Sequence, residues 1–194
     1  MKKLLDTLSD KEKQMLAFTE CEENEILFRE NSICTSLGIV VKGEAAIVSY
    51  TYRGNEILYK DLKEGSLFGN NLLFSSSPVY QGNVLAKSKC VFASIRKEIF
   101  LNLMKRNEQF LETYLEIISA HAKEMNEKIK MLSLSDAEER FLYYLQLKHN
   151  HLEYDSISDL AQKLSLRRET LSRVLSRLEN NREIERKKRL IVKR

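Results

Sequence analysis

The stretch LSLRRETLSRVLSRLE, residues 164–179, has the apolar spacing of an ordinary amphipathic helix but an unusual charge. It carries Arg167, Arg168, Arg173 and Arg177 and offers only Glu169 and Glu179 in return. A solvated helix face normally mixes its signs, so the surplus points to a surface that lies against something anionic. Leu171, Val174, Leu175 and Leu178 recur at the spacing of one helix face and form the inward side. Arg168, Glu169, Ser172, Arg173 and Ser176 then fall outward.

The flanks fit the same picture. Ser156 and Asp159 make a capping-box-like start. Leu160, Ala161 and Leu164 form the inner face of a short helix, and Ser165-Leu166 make a tight turn. Two short helices joined this way are a helix-turn-helix. The sequence EIERKKRLIVKR, residues 183–194, reads as a two-stranded wing bearing Arg186, Lys187, Lys188 and Arg189. Residues 160–194 hold 12 Lys/Arg against 4 Asp/Glu, a net +8, which leaves −4 on the rest of a chain whose total is +4. A basic segment on a mildly acidic body is the asymmetry of an anion-binding module. Arginine can grip the guanine edge with two hydrogen bonds and glutamate can accept from cytosine in a B-form major groove. The remaining cations would hold phosphates without reading sequence. The residues expected at double-stranded DNA are Arg167, Arg168, Glu169, Thr170, Ser172, Arg173, Ser176 and Arg177, with Lys187 and Lys188 from the wing. The alternative is a winged helix that contacts protein and does not read DNA sequence.

Residues 4–18 predict a short helix, with a second turn restarting at the Ser9–Glu12 capping pair. Residues 25–95 predict short strands: LGIVVKGEAAIVSY alternates around Gly43, Gly54-Asn55 marks a hairpin, Gly65 a turn and Pro78 a loop. That is a β-roll or jelly-roll. Residues 97–132 predict continuous helix. Leu111, Leu115, Ile118, Ala122, Met125, Ile129 and Leu132 are spaced 4, 3, 4, 3, 4, 3, a heptad seam for helix pairing. The seam either pairs two subunits or packs on its own domain. Ser135 to Glu138 predicts the next helix start, and the sequence KHNHLEY, residues 148–154, predicts a loop. The expectation is an α+β chain: a β-roll at 1–96, a dimerisation helix at 97–134 and a winged helix-turn-helix at 135–194.

The run Arg168-Glu169-Thr170, Ser172 and Arg173 resembles the recognition helix of the cyclic-AMP receptor/fumarate-nitrate regulator (Crp/Fnr) family of bacterial transcription factors. The likeness extends over the whole chain, with Ser165 where a glycine is common in the turn. It implies base reading by Arg168, Glu169 and Arg173, and homodimers on near-palindromic operators. It allows contact with RNA polymerase. It also implies an effector pocket. Family members that bind cyclic nucleotides use F-G-E and, further on, R-S/T. Here Phe68-Gly69 fits, but Asn70, followed by Asn71, replaces the glutamate. Tyr80, followed by Gln81, replaces the arginine. A buried phosphodiester without a cation costs several kcal/mol. The resemblance therefore comes with the expectation that cyclic AMP does not bind by the usual contacts. The pocket serves a different small-molecule effector or none.

Cys21, Cys34 and Cys90 are too few and too scattered for the four thiolates of an iron–sulfur cluster and read as reduced, buried thiols. Residues 25–95 contain no histidine, which removes a haem ligand there and also the metal site of a cupin enzyme. His121, His149 and His151 form no convincing metal set. No segment is apolar enough to span a bilayer, and MKKLLDTLSDKEKQ lacks the core of a signal peptide. A cytoplasmic protein without catalytic machinery, cofactor or metal is expected, with no membrane partner.

Overall fold

The computed structural model describes residues 3–193. Met1, Lys2 and Arg194, the last of which belongs to the basic tail, lie outside the described residues. The chain divides into two compact units, one ending at Ile117 and the other beginning at Ile118.

The first unit opens with a 3₁₀ turn, Leu4–Thr7, and a single helical turn, α1 (Asp10–Lys13). The Ser9–Glu12 capping box forms. The helix expected through residue 18 stops short, because residues 17–21 are recruited into a sheet. Eight strands follow: β1 (Ala17–Cys21), β2 (Ile26–Phe28), β3 (Ser36–Lys42), β4 (Ala45–Tyr50), β5 (Glu56–Leu62), β6 (Leu67–Phe68), β7 (Asn83–Ala86) and β8 (Cys90–Arg96). They form two antiparallel sheets, β1-β8-β3-β6 and β2-β7-β4-β5. The hairpin at Gly54-Asn55 and the turn at Gly65 are present, both glycines at positive φ. Phe68 is the core of this roll. It faces Phe28 at 5.8 Å and meets Phe92 edge-on at 5.8 Å. It also lies across Gly38, its strand partner, where a Cβ would come within 2.0 Å of the ring.

The helical region begins with α2 (Lys97–Arg106) and α3 (Glu108–Ser133). It is not continuous, as the sequence predicted. Asn107 interrupts it: its side-chain oxygen accepts from Phe110 N at 2.9 Å, and its amide donates to Thr7 O at 3.0 Å. An Asn that caps a helix cannot also extend the preceding one. Phe100 of α2 packs on Phe110 and Tyr114 of α3, at 5.7 and 4.9 Å.

The second unit contains the rest of α3, α4 (Ala137–Leu147), β9 (His151–Glu153), α5 (Ile157–Lys163), α6 (Arg168–Asn180), β10 (Ile184–Lys187) and β11 (Leu190–Lys193). The unit boundary lies inside α3, ahead of residue 134. Met131, in the last turns of α3, is buried in the same cluster as Phe141, Leu145, Leu160, Leu171 and Leu175. Asp136, not Ser135, caps α4 by accepting from Glu138 N and Glu139 N, both at 2.9 Å. The wing has three strands, ordered β10-β11-β9, so HLE within the expected loop is a strand. No helix is long and apolar enough to cross a membrane among the described residues.

Candidate nucleic-acid interface and effector corner

The helix-turn-helix forms where the spacing put it. Ser156 caps α5 by accepting from Asp159 N at 3.0 Å. The helix ends in a Schellman motif: Leu166 N bonds Ala161 O at 2.9 Å and Ser165 N bonds Gln162 O at 3.0 Å. That motif needs a left-handed residue, and Ser165 supplies it at φ +52°. Burial of Leu171, Val174, Leu175 and Leu178 then fixes the roll of α6. Each such side chain contributes about 1.5–3 kcal/mol.

On the opposite side, Arg167, Arg168, Glu169, Ser172, Arg173, Ser176 and Arg177 are exposed and Thr170 is half-buried. These cations are not equivalent. Arg177 Nε donates to Glu138 Oε2 at 2.6 Å, an ion pair within the unit. Arg173 Nε reaches back to Glu169 O at 3.4 Å and leaves the rest of its fork outward. Among the described residues, no carboxylate pairs with Arg167 or Arg168. No side chain caps α6, whose N-cap is Arg167, so its first amides remain available to an acceptor such as phosphate.

The wing is held from two directions, one of them through Tyr154, which the sequence did not single out. Arg186 Nε donates to Glu179 Oε2 at 2.7 Å. That hydrogen bond, more than the charge beside it, holds the Glu179 carboxyl below its ordinary range. Tyr154 donates through its hydroxyl to Lys188 O at 3.2 Å and through its amide to Arg189 O at 3.0 Å. The turn at Lys188, with φ +47°, is thus pinned and projects its side chain from the tip. Lys187 pairs with Glu185 at 2.9 Å on the surface. No sequence pattern announces Tyr154, because its partners are backbone atoms more than thirty residues away.

The seam residues of α3 are left open. Leu115, Met125, Ile129 and Leu132 are 46%, 62%, 60% and 39% exposed. Ala122 is exposed as well, and Leu111 and Ile118 are half-covered. The side chains that α3 buries in its first unit are Phe110, Thr113, Tyr114 and Ile117, a different face.

The candidate effector residues do not share one environment. Phe68 is buried, Asn70 half-buried, Asn71 exposed and Gln81 exposed. Gly69, at φ +74°, sits under Cys34 and Tyr80: a Cβ there would lie 3.0 Å from Cys34 Sγ and 3.3 Å from the Tyr80 hydroxyl. Tyr80 is 3% exposed and stacks on Phe28. Its hydroxyl makes no hydrogen bond of normal geometry, the Cys34 thiol being the polar group beside it. Burial first, and Cys34 second, push the phenol far above its usual range. At the position where the resemblance places an arginine, the chain has the buried ring and hydroxyl of Tyr80. Cys21 and Cys90 face each other across β1 and β8 as free, buried thiols. Burial pushes the Cys21 thiol up. No group of three or more His, Cys, Asp or Glu suits a metal among the described residues.

Residues 18–107 match the family model of the cyclic nucleotide-binding domain. Among solved structures, CprK complexed with OCPA aligns with a TM-score of 0.78 at 14% identity, over 94% of this chain and 89% of that one. A variant of CooA from Carboxydothermus hydrogenoformans gives 0.75 at 16% identity, over 98% and 89%. A transcriptional regulator of the Crp/Fnr family from Eubacterium rectale gives 0.57 at 18% identity, over 98% and 92%. No curated protein matches the sequence.

Proposed function

We propose that this chain, which carries a cyclic nucleotide-binding domain at residues 18–107 in the fold of the Crp/Fnr transcription regulators, is a sequence-specific DNA-binding homodimer. The observation that carries the reading is the two-sidedness of α6. Its apolar face is fully used in the domain core, and its other face presents Arg168, Glu169, Ser172 and Arg173 with no internal role beyond one weak backbone contact. Arg168 and Arg173 are the base-reading cations and Glu169 an acceptor for cytosine. Arg167, Lys187 and Lys188 hold phosphate. Arg177, tied to Glu138, contributes charge more than contact. The exposed seam of α3 pairs two chains, so two copies of α6 enter successive major grooves about 34–36 Å apart.

The roll does not take a cyclic nucleotide by the family's contacts. Tyr80 and Phe28 occupy the corner and no cation faces it from the Asn70 or Tyr80 positions. Contact with RNA polymerase is compatible with this reading and has no residue assigned to it.

The test is binding to random duplex DNA as salt is raised. Phosphate-driven binding falls with a log–log slope of about −0.9 per neutralised phosphate. Binding that ignores salt, or none to duplex DNA or heparin, replaces this reading with a winged helix that docks on protein.

A further inference from the structure

Arg140, on α4, pairs with no carboxylate among the described residues. Its Nε and Nη2 donate to Leu134 O at 3.1 and 2.5 Å. Its Nη1 donates to Leu164 O at 3.2 Å and, more weakly, to Ser165 O at 3.4 Å. Leu134 immediately follows α3. Leu164 is the C-cap of α5, and Ser165 is the left-handed residue of the turn. One planar guanidinium therefore ties the exit of the long helix to the turn that launches the recognition helix.

The chemistry suits arginine and little else. Both ends it joins are helix C-termini, whose last carbonyls lack intrahelical donors and carry partial negative charge. Joining them needs N–H groups on two sides of one rigid plane, which the guanidinium has and an ammonium lacks. Two other ties between α3 and this domain sit away from the turn. Met131 inserts into the core, and Lys130 lies over the Tyr143 ring at 5.1 Å. Only Arg140 connects the end of α3 to the Leu164–Ser165 carbonyls through a single side chain among the described residues.

We propose that Arg140 is a positioning residue for DNA recognition. It sets the angle between α6 and the last turn of α3, and thereby the separation and phase of the two half-sites that the dimer accepts. The inference rests on the dimeric DNA-binding reading above. A residue that only stabilises the domain would weaken binding to every operator alike. A residue that sets an angle changes which operator is preferred, since each base pair added between half-sites rotates one against the other by about 35°.

The probe is a duplex selected by the wild-type protein from a random pool, then rebuilt with one to four base pairs inserted or deleted at its centre. A single half-site duplex serves as control. The wild type is expected to discriminate sharply among the spacings. Arg140→Gln is expected to reduce that discrimination by about tenfold, a coupling of ordinary size, with half-site affinity little changed. Arg140→Lys, which keeps the charge but reaches one end only, is expected to fall between. If Arg140→Gln is not folded by circular dichroism, Arg140→Lys is judged by the same criterion. An unchanged spacing profile with uniformly lower affinity overturns the inference. A wild type indifferent to paired half-sites overturns the dimeric reading itself, a separate outcome.

Discussion

The ring of Tyr80 lies stacked on that of Phe28, centroids 4.9 Å apart and planes 21° apart, with its hydroxyl buried and unbonded. A buried hydroxyl without a partner costs about 1–3 kcal/mol. Tyr80→Phe removes the hydroxyl and keeps the stack. It should therefore raise stability by about 1 kcal/mol, read as a shift in the urea midpoint at constant m. Titration calorimetry with cyclic AMP should show no micromolar binding to the wild type. Micromolar affinity would mean that the ring moves aside and a cation reaches the corner.

The C-terminal unit was legible because its signals are local. Four apolar residues at helical spacing fix the face of α6, and Ser156 fixes the start of α5. Asn107 was also legible in principle, as a capping residue type inside an apparently continuous helix; the strong periodicity on both sides hid it. The strand β9 was not legible. The three residues His151–Glu153, between Asn150 and Tyr154, carry no period, and they become a strand only through pairing with β11. Tyr80 at the position where the resemblance places an arginine could be read directly, but its stack on Phe28 could not, since the two meet only when β2 and the loop before β7 fold together. Arg140 gave no signal at all: its partners are main-chain oxygens up to 25 residues away.

Arg173 projects most of its guanidinium from the middle of α6, and Glu169 O holds only its Nε. Arg173→Ala should cost roughly 1–3 kcal/mol on the cognate site and much less on random duplex. Competition binding measures both. Equal loss on the two DNAs would reduce Arg173 to a phosphate contact.

Ile129 is 60% exposed in the single chain, so replacing it should not disturb the chain's own packing. In a paired seam it becomes a core position, where an unpaired carboxylate is costly. Ile129→Asp should yield folded monomers by light scattering, with operator affinity falling toward that for a half-site. Dimers that survive the change would place pairing elsewhere.

The Glu179–Arg186 pair gives the wing an acid limit. The folded-state pKa of Glu179 lies below its ordinary value of 4.5, so the pair stabilises the wing above that value. The contribution disappears as pH falls through the lower folded-state pKa. Glu179→Gln should flatten this acid-side loss, seen as weaker pH dependence of stability below pH 4.5, and leave the neutral-pH fold intact. Because the pair is near the surface, raised salt should shrink the difference between variant and wild type. An unchanged acid limb would show that the pair contributes nothing measurable.

Ser165 holds a left-handed conformation, φ +52°, that the Schellman end of α5 requires. An L-residue pays roughly 1–2 kcal/mol there, while glycine costs about 0.5–1 kcal/mol in unfolded-state entropy. Ser165→Gly should therefore be stabilising by about 0.5 kcal/mol, because its side chain makes no hydrogen bond among the described residues that the turn would lose. The Arg140 contact is to the Ser165 carbonyl and survives the change. Thermal unfolding at fixed protein concentration measures the shift. Clear destabilisation would mean that the hydroxyl stiffens the turn, and that the departure from glycine serves the geometry of the recognition helix.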